Sequence, residues 1–225
     1  MGRNLIWGIK KKRKSADIED DNNDNNENDI SKNISLIMNS SSNSSIVINF
    51  NHIYFNNDIT TESAFNLNNE LRNTENKMKI FSATYNIPLQ PIYLHLTTDG
   101  GLIYSAFSII DCIKSLSVPV HTIIDGFVAS AGTLISLAGE KRYMNKNSYM
   151  LIHELRGGVW GKMSEIEDEF KNIKRIMKHL MSIYLENTKL KKNELEKILK
   201  KDIIWDLDEC IKYGLVHEEY KHQTI

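Results

Sequence analysis

Short apolar runs alternate with helical patterns along most of the chain, after a beginning that is rich in Asn, Asp and Ser. The runs that predict β-strands are 46–50, 53–55, 91–96, 120–124 and 149–152. Apolar periodicity predicts helices after Thr61, Gly101 and Ser130. Successive strand–turn–helix units predict parallel strands with right-handed crossovers, and hence an α/β fold. A site is expected where these strands end, at the turns Asp99–Gly101 and Asp125–Gly126.

The last third of the chain predicts one long amphipathic helix, opened by a capping box from Ser164 to Glu167. Its apolar stripe consists of Ile166, Phe170, Ile173, Met177, Leu180, Met181 and Tyr184. A stripe of this length exceeds what so small a domain usually covers, so we expect another subunit to pack on it. A short helix over 206–215 is expected to stop at Gly214.

The two ends of the chain differ in composition, which predicts a domain boundary near residue 45. Residues 1–45 have too few apolar side chains to offset the entropy of ordering, so we expect a disordered tail followed by one domain over 46–220. The tail carries the basic run Lys10–Lys14. A solvated charge run is the simpler interpretation, and a nuclear-import or polyanion-binding patch is the alternative.

Charge and cysteine content restrict the possible partners and location. The 28 basic and 29 acidic side chains nearly cancel, so neither nucleic acid nor a membrane surface is an expected partner. Cys112 and Cys210 lie in apolar helical runs without metal-ligand spacing, which predicts buried free thiols and a reducing compartment. No apolar run approaches the roughly 20 residues that span a bilayer. These features together predict a cytoplasmic protein.

Three elements follow predicted strands at positions where chemistry is expected. Ser130 would stand at a helix N-terminus, where unpaired backbone N–H groups stabilise an oxyanion; the alternative is an ordinary N-cap. Gly100 and Gly101 would let a substrate backbone approach, or would simply make a tight turn. His153 ends an apolar strand and is a candidate general base, or a structural histidine.

Taken together, Thr97–Gly101, Gly126–Gly132 and Met150–His153 resemble the proteolytic subunit of the Clp protease in order, spacing and context. The likeness runs from about His52 through Leu215. It implies an α/β fold of the ClpP/crotonase type, with parallel strands in strand–turn–helix units and a protruding long helix. It also implies a serine endopeptidase that acts on peptides or unfolded proteins.

The resemblance assigns a role to each matching residue. It implies Ser130 as nucleophile, His153 as general base and Asp202 as the acid that orients the histidine, with Gly101 and Ala131 donating oxyanion N–H groups. Asp202 rests on the resemblance alone, and the competing acids nearby are Asp206 and Asp208. The family further implies homo-oligomeric rings, usually stacked in pairs, an AAA+ ATPase unfoldase as partner, and no metal or organic cofactor.

This sequence also departs from the family pattern. Asp99 stands where the family has proline, Ala131 where it has methionine, and Glu154–Leu155 where it has Gln-Pro. The tail has no match to the family's N-terminal gating hairpin, and these changes resemble divergent phage and viral members. Three alternatives therefore stay open. They are a catalytically silent ring scaffold, an acyl-CoA enzyme of the crotonase type and, least supported because it needs a Ser–Lys pair, a signal-peptide peptidase.

Overall fold

The computed structural model describes residues 6–8 and 46–221. Within them the strands are β1 Ile6–Gly8, β2 Ile46–Asn49, β3 His52–Asn56, β4 Ile92–Thr98, β5 Gly100–Leu102, β6 Val120–Ala129, β7 Lys141–Met144, β8 Tyr149–Leu151, β9 Ile204–Trp205 and β10 Glu218–Glu219. The helices are α1 Thr61–Tyr85, α2 Ile103–Ser115, α3 Ala131–Leu137, α4 Met163–Asn187, α5 Lys192–Leu199 and α6 Leu207–Tyr213. The order confirms the predicted α/β class.

One 8-stranded sheet organises the domain, in the order β10-β7-β6-β4-β3-β2, with β8 paired to both β6 and β9. The pairs β3/β4, β4/β6, β6/β7 and β6/β8 are parallel, as the strand–turn–helix units predict. The β2/β3 and β8/β9 pairs are antiparallel. Strand β6 lies at the centre and changes partner along its length, from β7 to β8.

Alternation along the strands separates the two faces of the sheet. Ile53, Leu94 and Leu96 point to one face and are fully buried, in a core that also takes Leu67 of α1 and Ile109 of α2. Burial of one such side chain stabilises the fold by about 1.5–3 kcal/mol. Helix α1 is held in place by a capping box in which Thr60 Oγ1 accepts from the Ser63 N–H.

The opposite face of the sheet carries a row of aromatic and imidazole rings. Neighbouring rings on β3, β4, β6 and β7, and one directly after β10, stack or meet edge to face. They belong to His52, Tyr54, Tyr93, His95, His121, Tyr143 and Tyr220. His52 Nδ1 and His95 Nε2 are 2.9 Å apart, within hydrogen-bond distance. His52, His95 and His121 thus lie on three neighbouring strands of the sheet.

The long helix α4 begins at Met163, so the predicted capping box from Ser164 to Glu167 is wrong. The Glu165 carboxylate instead accepts from the backbone N–H of the N-cap residue Lys162, so the helix begins two residues earlier than predicted. Its apolar stripe is divided. The end of the stripe with Leu180 and Tyr184 is buried in the domain's own core. The other end remains exposed, with Ile166 at 39% and Phe170 at 57%.

Two predicted turns are strands in the structure. Strand β6 does not end at Asp125–Gly126 but continues to Ala129, because Gly126 adopts φ 86° and forms a bulge within the strand. Gly100 and Gly101, predicted as part of a turn, belong to strand β5. Both extensions lie at the carboxyl ends of the parallel strands, where the site was expected.

The cysteines agree with the prediction, whereas one segment of the predicted tail forms a strand. Cys112 and Cys210 are buried free thiols, as predicted, and burial raises the pKa of each. In the predicted tail, Ile6–Gly8 forms a strand that pairs antiparallel with β5. The rest of 1–45, including the basic run, lies outside the described residues. None of the described helices is both long enough and apolar enough to cross a membrane.

Candidate active site

Ser130 stands at the sharp junction between β6 and α3. Its backbone angles are φ 60° and ψ −126°, a conformation that is rare for residues other than glycine and that costs of order 1–3 kcal/mol. A serine on a strained strand-to-helix turn presents its hydroxyl at the end of a sheet. The Ser130 side chain makes no capping hydrogen bond, so the N-cap alternative does not account for it.

The Ser130 hydroxyl is buried, and Oγ has no hydrogen-bond partner among the residues that the structure describes. A buried hydroxyl without a partner is unfavourable for stability, typically by 1–3 kcal/mol. Such a group is a candidate for function because the fold alone gives it no role. The nucleophile–base hydrogen bond of a serine peptidase is accordingly not formed in this arrangement.

Pairing of β6 with β8 brings His153 to the same place. Ala129 lies opposite Leu151, and the Ser130 N–H donates to the Leu151 carbonyl at 2.8 Å. His153 follows the end of β8 and is 1% exposed. Sequence reasoning placed both residues after neighbouring parallel strands, and the structure brings their two segments into direct backbone contact.

The Gly100–Leu102 strand is fixed on one side by Ile59. The Ile59 N–H donates to the Gly100 carbonyl and the Leu102 N–H to the Ile59 carbonyl, each at 2.7 Å. In such a bridge the intervening residue directs its own N–H and C=O to the other edge. Gly101 has φ 147°, and a Cβ there would lie 2.2 Å from the Ile59 oxygen, so only glycine fits.

The turn before β5 and the start of α3 lie against each other. A Cβ on Gly132 would lie 2.4 Å from Thr98 Cγ2, so the helix approaches the end of β4 as closely as a glycine permits. Ala131, whose N–H the resemblance names as an oxyanion donor, is the first residue of α3. Gly101 in β5 and Ala131 at the start of α3 therefore lie on adjacent segments at the carboxyl ends of the parallel strands.

Asp202 occupies a different environment. It follows α5, its side chain is 56% exposed, and its carboxylate forms an ion pair with Arg156. Asp206 caps α6 by accepting from the Glu209 N–H at 3.0 Å, and Asp208 lies in the first turn of that helix. The Asp202 carboxylate also acts electrostatically on His153.

The electrostatics of His153 reflect this arrangement. Burial lowers the pKa of His153, and the Arg156 guanidinium lowers it further. The Asp202 carboxylate and a backbone hydrogen bond with Glu154 act in the opposite direction, but the net pKa is still lowered. The imidazole is therefore neutral at neutral pH, the state that a general base requires.

A buried hydrogen-bond chain behind Ser130 was missed by sequence reasoning. The Thr133 hydroxyl donates to the Ser130 carbonyl at 2.6 Å, and it also bonds to the Tyr184 hydroxyl. Tyr184 is fully buried, and burial raises its pKa. The chain joins the long helix α4 to the backbone of the strained serine. Tyr184 is 51 positions from Thr133, so no local pattern could have revealed the contact.

The outer edge of β5 is paired with β1. The register is antiparallel, with Ile6 opposite Leu102, Trp7 opposite Gly101 and Gly8 opposite Gly100. An extended backbone therefore fits along the edge to which Gly101 directs its N–H. Antiparallel addition of a strand to a sheet edge is a common mode of peptide recognition.

The fold is of the α/β class, and the carboxyl ends of its parallel strands bring together a serine at a strained turn, a buried histidine and a glycine strand edge. Among the described residues, no group of three or more His, Cys, Asp or Glu side chains is arranged to hold a metal ion. The chain belongs to the Clp protease family, whose model matches residues 44–223.

Two relatives support the same family. The ATP-dependent Clp protease proteolytic subunit 2 of Treponema denticola is 32% identical over 148 residues, which cover 65% of this chain and 72% of that protein. The solved structure of a ClpP1 point mutant from Listeria monocytogenes is similar with a TM-score of 0.66 and 27% identity, and the match covers 77% of this chain and 93% of that one. The resemblance inferred from the sequence and the predicted fold are thereby confirmed.

Proposed function

We propose that this chain is a serine endopeptidase subunit that hydrolyses peptide bonds through an acyl-enzyme on Ser130. One observation carries the proposal: the buried, unbonded Ser130 hydroxyl lies at the end of the sheet where His153 and the Gly101 edge also lie. Membership of the Clp protease family supports a peptidase of serine type over the acyl-CoA alternative.

The proposed reaction follows from the roles of these groups. A peptide takes the place of β1 along the outer edge of β5. Ser130 Oγ bonds to the carbonyl carbon of the peptide while His153 takes the hydroxyl proton. The N–H groups of Gly101 and Ala131 stabilise the oxyanion, and His153 returns the proton to the leaving amine. Water then hydrolyses the ester with His153 again as base. Asp202 stabilises the imidazolium, and only side chains, backbone N–H groups and water take part.

The assembly is part of the proposal. We expect stacked homo-oligomeric rings that enclose the sites, because the exposed apolar end of α4, with Ile166 and Phe170, needs a partner surface. Family membership supports an AAA+ ATPase unfoldase that delivers peptides or unfolded proteins. Enclosure would provide selectivity, since a groove that binds backbone atoms discriminates weakly between side chains.

The second candidate is a catalytically silent ring scaffold. It is favoured by one specific feature of the site, namely the ion pair that engages the Asp202 carboxylate with Arg156. In a scaffold these residues would keep the present arrangement after assembly. In a peptidase, assembly or substrate binding would complete the triad, since catalytic hydrogen bonds often tighten only in the complex.

Labelling with a fluorophosphonate serine probe, alongside hydrolysis of a fluorogenic peptide, tests the proposal on the purified full chain. Ser130→Ala should abolish labelling and reduce hydrolysis by several orders of magnitude. Ser136→Ala is the matched control, because Ser136 is another fully buried serine in α3 whose hydroxyl has no partner among the described residues. It should label like the parent protein.

Light scattering on the same samples gives the size of the particle. Peptide hydrolysis that survives Ser130→Ala in pure protein would refute the proposal. Absence of labelling on an assembled parent particle would favour the scaffold.

A further inference from the structure

Arg156 lies on the loop that follows His153, and it contacts the proposed triad acid. Its Nη2 donates to Asp202 Oδ2. The two side chains are 44% and 56% exposed. They come from segments 46 positions apart, so the pair is a tertiary contact rather than a local one.

Backbone contacts hold these two segments together. The Glu154 N–H donates to the Leu199 carbonyl at 2.8 Å, and Leu151 lies opposite Ile204 in the β8/β9 pair. The loop after His153 and the turn that carries Asp202 are therefore fixed side by side. The Arg156 side chain meets Asp202 because of this framework, and the same framework keeps the carboxylate close enough to influence His153.

Arg156 and Asp202 act on His153 with opposite signs. A catalytic base becomes an imidazolium as the reaction proceeds, and the carboxylate stabilises that cation. The guanidinium destabilises it, and by pairing with the carboxylate it also weakens the stabilising partner. The groups that influence the pKa of the His153 ring are the surrounding low-polarity interior, Arg156, Asp202 and the backbone at Glu154.

We infer that Arg156 is a positioning residue that competes with His153 for the Asp202 carboxylate and thereby limits the rate at which Ser130 is activated. The inference rests on the proposed function and adds a specific restraint to it. The restraint is a side chain of this chain itself, so it would operate in every subunit irrespective of the substrate.

The test compares variants of the full-length protein. Arg156→Gln removes the cation but keeps a polar side chain of similar length, whereas Arg156→Lys keeps the cation. Arg175→Gln is the control for loss of one positive charge, because Arg175 is an exposed residue of α4. Melting temperature and light scattering establish that each variant is folded and assembled as the parent is.

We expect Arg156→Gln to increase the fluorophosphonate labelling rate and kcat about tenfold, which corresponds to a shift of roughly one pKa unit in the base. KM should stay within about twofold, because Arg156 affects the base and not the peptide edge. The midpoint of the pH–rate profile should move upward. Arg156→Lys and Arg175→Gln should stay near the parent rates.

A further variant separates this role from a merely structural one. Asp202→Asn introduced with Arg156→Gln should cancel the gain, since the gain arises from a released carboxylate. If the parent labels, and the Arg156→Gln variant labels at the same rate or more slowly, the inference is overturned and the proposed function still stands. If neither parent nor variant labels, while both are assembled, both the inference and the proposed function fail.

Discussion

The hydrogen bond between Tyr184 and Thr133 provides a test of what supports the strained serine. Tyr184→Phe removes one hydroxyl and changes nothing else in the packing. Because Tyr184 is fully buried, we expect the free energy of unfolding to fall by about 1 kcal/mol, the usual net contribution of one hydrogen bond. Replacement by alanine would cost about 3–5 kcal/mol through the cavity, and would not be informative about the hydroxyl.

The same substitution should also affect the site. The Thr133 hydroxyl that bonds to Tyr184 also donates to the Ser130 carbonyl. If the lost hydrogen bond mainly destabilises the reactive conformation of Ser130, the barrier to labelling rises by about 1 kcal/mol, which corresponds to a roughly fivefold slower labelling rate. Thr133→Val removes the donor itself and should be non-additive with Tyr184→Phe, because the two residues share one network.

Urea unfolding at a fixed protein concentration, together with fluorophosphonate labelling, measures both effects. Tyr104→Phe is the control, since Tyr104 is 59% exposed and its hydroxyl should matter by less than about 0.5 kcal/mol. A Tyr184→Phe protein as stable and as reactive as the parent would refute the reasoning. Full additivity of the Tyr184 and Thr133 substitutions would refute the shared network.

Two further predictions concern other parts of the structure. Gly101→Ala should reduce labelling more than tenfold with the helical circular dichroism signal retained, because its Cβ would meet the Ile59 oxygen; a fully active variant would contradict this. Burial alone would raise the pKa of Glu75, but hydrogen bonds from the Ser117 side chain, Lys79 and the Ser117 backbone lower it to about 2. Since the folded pKa lies below its usual 4.5, the stabilisation is complete above that pH and is lost as pH falls towards about 2. Urea midpoints from pH 5 to pH 2 should fall more steeply for the parent than for Glu75→Gln, and equal slopes would exclude the contribution.

Much of the fold and part of the site could be predicted because their signals are local. Alternation and turn residues locate the parallel strands, and the carboxyl ends of those strands locate Ser130 and His153. The residues at which strands end are harder to predict from sequence. The prediction ended β6 at Gly126, whereas a glycine in a strand also permits a bulge, and only the pairing with β8 decides between the two.

The other features of the site depend on contacts between distant segments. Nothing near Asp202 distinguishes it from the surrounding charged residues, and its pairing with Arg156 depends on how the β8/β9 pair aligns two loops. The Tyr184 side chain was predicted only as part of an apolar stripe. Its hydroxyl has a hydrogen-bonding role because the packing of α4 places it beside Thr133.

The pairing of Ile6–Gly8 with Gly100–Leu102 has a consequence for how a peptide would enter the site. The edge already carries a strand of the same chain, so an incoming peptide cannot simply add to it; the resident segment must leave first. Peptide binding is then an exchange of one strand for another. The measured affinity reflects the difference in free energy between the pairing of the peptide with β5 and the pairing of residues 6–8 with β5. A resident segment joined covalently to the domain competes at a local concentration that is independent of how dilute the protein is. Short or weakly paired peptides would therefore be excluded, and long extended ones admitted.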